Sequence, residues 1–92
     1  MNDNDILTIL KIDLQISSTA LDDYLTQLIF AGKKYIATEG ITLKDTVDDG
    51  MLVEMYAAYL YRKRRESQAD MPRFLRWALN NRLISEKGGV LK

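Results

Sequence analysis

Thr46-Val47-Asp48-Asp49-Gly50-Met51-Leu52-Val53-Glu54-Met55-Tyr56-Ala57-Ala58-Tyr59-Leu60-Tyr61-Arg62-Lys63-Arg64-Arg65-Glu66 is the stretch from which the rest of the chain is read. Met51, Leu52, Met55, Tyr56, Tyr59 and Leu60 recur with the 3.6-residue period of a helix, and Ala57 and Ala58 keep helix propensity high. Thr46 with an acid three residues later is a helix start, and Arg62 to Arg65 place cations where they complement the dipole of a last turn. The pattern predicts a helix over 47–66. Its apolar middle, Met51 to Leu60, makes it the expected centre of the fold.

Working toward the N-terminus, Ile41 and Leu43 lie in a short loop and are expected to cover the end of the core. Before it, Leu21, Leu25, Leu28, Ile29, Tyr35 and Ile36 form one stripe at helical spacing. Thr19-Ala20-Leu21-Asp22 reads as a capping box and Gly40 as a C-terminal stop, which predicts a helix over 19–39. Gly32 costs about 1 kcal/mol inside it relative to alanine, and close approach of another backbone is the expected reason. Ile6, Leu7, Ile9, Leu10 and Leu14 predict a short first helix over 3–12. Toward the C-terminus, Ser67-Gln68-Ala69-Asp70 is a polar break. Pro72 opens a helix over 72–84 whose buried face is expected from Phe74, Leu75, Ala78, Leu79 and Leu83, with Trp77 flanking. Residues 85–92 read as a mobile tail. The fold class is therefore all-α: one domain over 1–84, a compact bundle of about four helices, two long and two short. Its 92 residues leave room for a modest core only.

Composition narrows the function. The chain has no histidine and no cysteine. It therefore lacks the commonest general base, the commonest transition-metal ligands and the strongest nucleophile, and it has no glycine-rich phosphate loop. The pairs Asp22/Asp23 and Asp48/Asp49 sit in first turns, where capping and the dipole account for them. Neighbours on a helix do not face each other, and Asp45 to Gly50 lacks the alternating oxygen ligands of a calcium loop. No catalytic residue, metal site or cofactor is expected, nor a small-molecule substrate. No apolar run approaches the roughly 20 residues of a membrane span.

Charge is unevenly spread along the chain. Residues 1–50 carry nine acids against four lysines, and residues 51–92 carry nine bases against four acids, so a neutral chain divides into halves of −5 and +5. Such asymmetry steers unlike faces of neighbouring copies together, attracts a polyanion, or reflects helix-dipole preference and chance alone. The candidate contacts are Arg62, Lys63, Arg64, Arg65, Arg73 and Arg76, to phosphate or to a neighbouring subunit's acids. Asp22, Asp23, Asp48 and Asp49 form the candidate acidic interface.

Four stretches carry a likeness when taken in order. They are Leu10-Lys11-Ile12-Asp13 closing the first helix; the acidic start and amphipathic run from Asp22-Asp23-Tyr24-Leu25 to Lys33-Lys34-Tyr35-Ile36; Met55-Tyr56-Ala57-Ala58-Tyr59-Leu60-Tyr61-Arg62; and Met71-Pro72-Arg73. Together they resemble the head–tail connector family of tailed double-stranded-DNA bacteriophages, also described as DNA-packaging adaptors, over residues 5 to about 84. The resemblance implies a non-enzymatic protein, made in the bacterial host cytoplasm and built into the head–tail junction of the virion. It also implies a homo-oligomeric ring beneath the portal protein, contact with a downstream head-completion or tail protein, and non-specific contact with packaged DNA. The alternative is a small DNA-binding regulator, with the third and fourth helices imitating a helix-turn-helix and Arg73 and Arg76 near the start of its second helix.

Overall fold

Helix α3 (Val47–Arg65) runs through the middle of the molecule and packs against each of the other three: α1 (Asp3–Asp13), α2 (Asp22–Thr38) and α4 (Arg73–Leu91). The computed structural model describes the backbone of residues 1–91 and the side chains of residues 1–88, and among these there is no strand. Overall dimensions are 49 × 30 × 18 Å. A thickness of 18 Å admits two helix layers of about 10 Å each, so every helix keeps a face toward solvent.

The core is drawn from all four helices. Ile6 and Leu10 come from α1, Leu25, Leu28, Ile29 and Ile36 from α2, and Leu52, Val53, Tyr56, Ala57 and Ala58 from α3. Leu75 and Leu79 come from α4, and Ile41 closes the end from the loop, as expected. Helices α2 and α3 are antiparallel neighbours: Tyr24 meets Tyr61 and Tyr35 stacks on Tyr56, with ring centroids 6.4 and 5.9 Å apart. Between these pairs Gly32 is buried against α3. A Cβ built there would lie 3.5 Å from Tyr56 Cβ and 3.6 Å from the Ala57 nitrogen. The backbones do approach closely, but at a distance that still admits a methyl group.

Capping explains most helix ends. Asn2 accepts from the Asp5 N–H at 2.8 Å and Thr46 from the Asp49 N–H at 3.1 Å. Gly40, with φ +104°, ends α2 in a conformation that favours glycine. Helix α1 ends through Gln15 at φ 59°, with the Ile16 N–H on the Lys11 carbonyl and the Gln15 N–H on the Ile12 carbonyl, a Schellman pattern without glycine.

Four expectations need correction. The capping box at Thr19 does not form: Ser18 Oγ takes the Ala20 N–H, the Thr19 carbonyl takes the Asp22 N–H, and α2 starts at Asp22 without a side-chain cap. Leu21 and Tyr35 stand exposed instead of completing the α2 stripe. Phe74 also points outward, because α4 packs chiefly on α3 and one neighbour covers only the Leu75–Leu79 line. The segment from Ser85 to Leu91 is helical, not a tail: α4 continues through it. Glu86 accepts the Thr42 N–H on both carboxylate oxygens, at 3.0 and 3.1 Å, which ties this extension to the loop after α2. Lys92 lies outside the described residues.

Candidate functional site

The candidate cations meet different fates in the folded chain. Arg76 is bound to Glu39 through both guanidinium nitrogens, at 2.9 and 3.3 Å, and this pairing raises its pKa further. Arg62 faces Asp13 at 3.7 Å. Lys63, Arg64, Arg65 and Arg73 have no carboxylate within 4 Å among the described residues. Three of these four stand over tyrosine rings: Lys63 over Tyr59 at 6.0 Å, Arg64 over Tyr24 at 6.0 Å and Arg65 over Tyr61 at 5.6 Å. The end of α3 thus carries a cationic cluster seated on aromatic faces, an arrangement worth about 0.5–1 kcal/mol per exposed contact.

The acidic candidates are dispersed in the same way. Asp22 pairs with Lys11 at 2.8 Å, while Asp23 and Asp48 are exposed, with no ion pair among the described residues. Asp49 is 3% exposed and binds the Arg82 guanidinium, which also donates to the Thr42 carbonyl at 2.8 Å. Burial pushes the Asp49 carboxyl up, but hydrogen bonds from Arg82 and from the Lys44 N–H outweigh it and hold the pKa below the usual range. Asp49 is therefore an internal strut between α3, α4 and the loop, not an interface acid. Asp22 and Asp23 come to the end of the bundle that carries the basic run, because α2 and α3 are antiparallel.

Three features escape a reading of the sequence. Arg82 and Glu39 look like surface charges and are ion-pair partners instead. Glu54 reads as the polar side of α3, yet it is 3% exposed and its Oε2 has no hydrogen-bond partner. Burial, reinforced by the neighbouring Asp13 carboxylate and opposed by Arg62, pushes its pKa up to about 8. The third feature is the outer face of α4. Phe74, Trp77 and Ile84 are 63, 63 and 66% exposed. With Asn81 they repeat at intervals of three and four residues, one seam along the helix that is apolar except at Asn81.

Among the described residues no group of three or more histidine, cysteine, aspartate or glutamate side chains is placed to hold a metal ion. No helix among the described residues is long and apolar enough to cross a membrane. No family model, curated protein or solved structure matches the chain.

Proposed function

We propose that this protein is a structural adaptor of a tailed bacteriophage, which assembles into a ring under the portal and helps join head to tail around the DNA channel. The observation that carries the assembly part is the uncovered seam of α4. Three large side chains, each about two-thirds exposed, present roughly 400 Å² of apolar surface, where the largest patch on an ordinary monomer is about 300–600 Å² and often functional. A stable interface needs about 800 Å² per partner, so one seam supplies about half. A subunit that both offers its seam and receives a neighbour's makes two such contacts, each about half the standard size, and repetition of a head-to-tail contact closes a ring when the rotation permits, so that the contacts hold one another in place. The phage setting rests on the resemblance of the four sequence stretches. The absence of any histidine or cysteine agrees with a protein that performs no catalysis.

The regulator reading finds less support. Residues 66–72 separate α3 from α4, where a helix-turn-helix uses a turn of about three or four residues. Arg76, its candidate reader, is bound to Glu39, and Phe74 and Trp77 stand exposed in the first turns of α4, where a recognition helix presents polar groups to base edges.

Negative-stain imaging and light scattering of the purified chain, alone and with its cognate portal, test the proposal. Rings are expected, at least on the portal, and Trp77→Glu should abolish them while leaving the helical circular-dichroism spectrum intact. A strict monomer at high concentration that also fails to bind the portal would overturn it.

A further inference from the structure

We propose that the groove between α2 and the C-terminal half of α3 is a docking site for an acidic amphipathic segment of another protein. The groove has a volume of about 420 Å³, within the usual range of ligand clefts, about 300–1,000 Å³. Its apolar lining comes from Leu28, Ala31, Tyr35 and Leu60, and Lys63 and Arg64 stand at its rim. Both cations lack a carboxylate partner among the described residues, whereas Arg62, Arg76 and Arg82 each have one. The tyrosine rings beneath Lys63 and Arg64 support them without neutralising them. An apolar cleft with unpaired cations at its edge is complementary to a helix or extended segment with two or three apolar anchors and flanking carboxylates.

Two other occupants fit less well. Duplex DNA would satisfy the cations but leave the apolar lining wet, since phosphate contacts need charge alone. A second copy of this chain offers the seam of α4 as its apolar stripe, but residues 73–85 contain no acid and include Arg73, Arg76 and Arg82. Docking that face would bring the unpaired Arg73 toward Lys63 and Arg64 without a compensating carboxylate. The inference stands whether or not the subunits close into a ring.

The test uses the whole chain and a displayed library of short random peptides, followed by fluorescence polarisation of the enriched peptides at about 0.15 M salt. Enriched sequences are expected to combine apolar residues at helical spacing with at least two acids. Ala31→Glu, which fills the cleft, and the double variant Lys63→Glu/Arg64→Glu should each weaken binding about tenfold or more, with thermal unfolding measured to show that the fold persists. Ala31→Gln serves if the charged variant unfolds. Enrichment without acids, or equal affinity for the parent and both variants, overturns the proposal. So does a DNA duplex that displaces the peptides and itself depends on Ala31, or a concentration-dependent dimer that Ala31→Glu abolishes. Ring formation is scored in parallel, with and without the cognate portal: rings without peptide binding defeat this inference alone, and peptide binding with neither rings nor portal binding defeats the adaptor reading alone.

Discussion

Glu54 places a carboxyl on the most buried helix, with Asp13 and Arg62 as its charged neighbours. Its native pKa of about 8 lies above the ordinary 4.5, so the folded state holds the proton more tightly than the unfolded state. Stability therefore falls as pH rises through the interval between these values and levels off above it. The chain has no histidine, so no other side chain of ordinary pKa titrates near neutrality. Glu54→Gln should flatten the dependence of melting temperature on pH between about 5 and 9, and make the variant the more stable form at the alkaline end. Equal slopes in the two proteins would refute this. Asp49 works in the opposite sense: its lowered pKa makes a contribution that is present above about 4 and lost on acidification. Arg82→Met leaves the Asp49 carboxylate buried without its cation and should cost about 3 kcal/mol in urea unfolding at neutral pH. Addition of Asp49→Asn should restore part of that loss. A change below about 0.5 kcal/mol for Arg82→Met would show that water or Lys44 already neutralises the site.

Helices α2 and α3 form the tightest pairing, and Gly32 lies at their contact. A Cβ placed there lies 3.5 Å from its nearest neighbour, so a methyl group is accommodated in ordinary contact. Gly32→Ala should raise stability by about 0.5–1 kcal/mol, by helix propensity and a less flexible unfolded chain, while Gly32→Leu should destabilise through overpacking. Chemical denaturation of both variants checks the pair of signs, and a loss on Gly32→Ala would mean that the backbones are closer than described. Helix α4 is held differently. Leu75 and Leu79 are its fully buried apolar anchors, and charged contacts from Arg76, Arg82 and Glu86 fasten it to Glu39, Asp49 and the Thr42 backbone. Because these tethers occupy one side of α4, the opposite side keeps its aromatic seam clear for other chains.

Over the entire chain, folding redistributes the charge that the linear order segregates. Of the six ion pairs among the described residues, three join the acidic half to the basic half: Arg62 to Asp13, Arg76 to Glu39 and Arg82 to Asp49. Acids at helix starts and bases at helix ends become neighbours when helices pack antiparallel, so the dipole preference that separates them in sequence reunites them in space. Among the described residues the cluster of Lys63, Arg64 and Arg65 stays without an ion pair, as does Arg73. Trp77, the only tryptophan, is 63% exposed and belongs to the proposed assembly seam. Its emission should be that of a solvent-exposed indole in dilute protein and shift to shorter wavelength on assembly, where the ring is desolvated. Unchanged emission across a transition seen by light scattering would remove Trp77 from the interface.

Local order alone determined the number, kind and sequence of the helices, because apolar periodicity, hydroxyl caps at Thr46 and Gly40 as a stop act within a few residues. It also identified Lys63, Arg64, Arg65 and Arg73 as notable, but not which cations of the wider set would stay unpaired. Tertiary packing decided that α4 buries only the Leu75–Leu79 line and exposes Phe74 and Trp77, since a stripe's width depends on how many neighbours cover it. Packing likewise decided that Arg76 and Arg82 are struts, that Glu54 is enclosed, and that α4 runs on to Leu91. Each of these outcomes follows from contacts between residues distant along the chain, such as Asp49 with Arg82 or Thr42 with Glu86, and periodicity carries no information about such pairs.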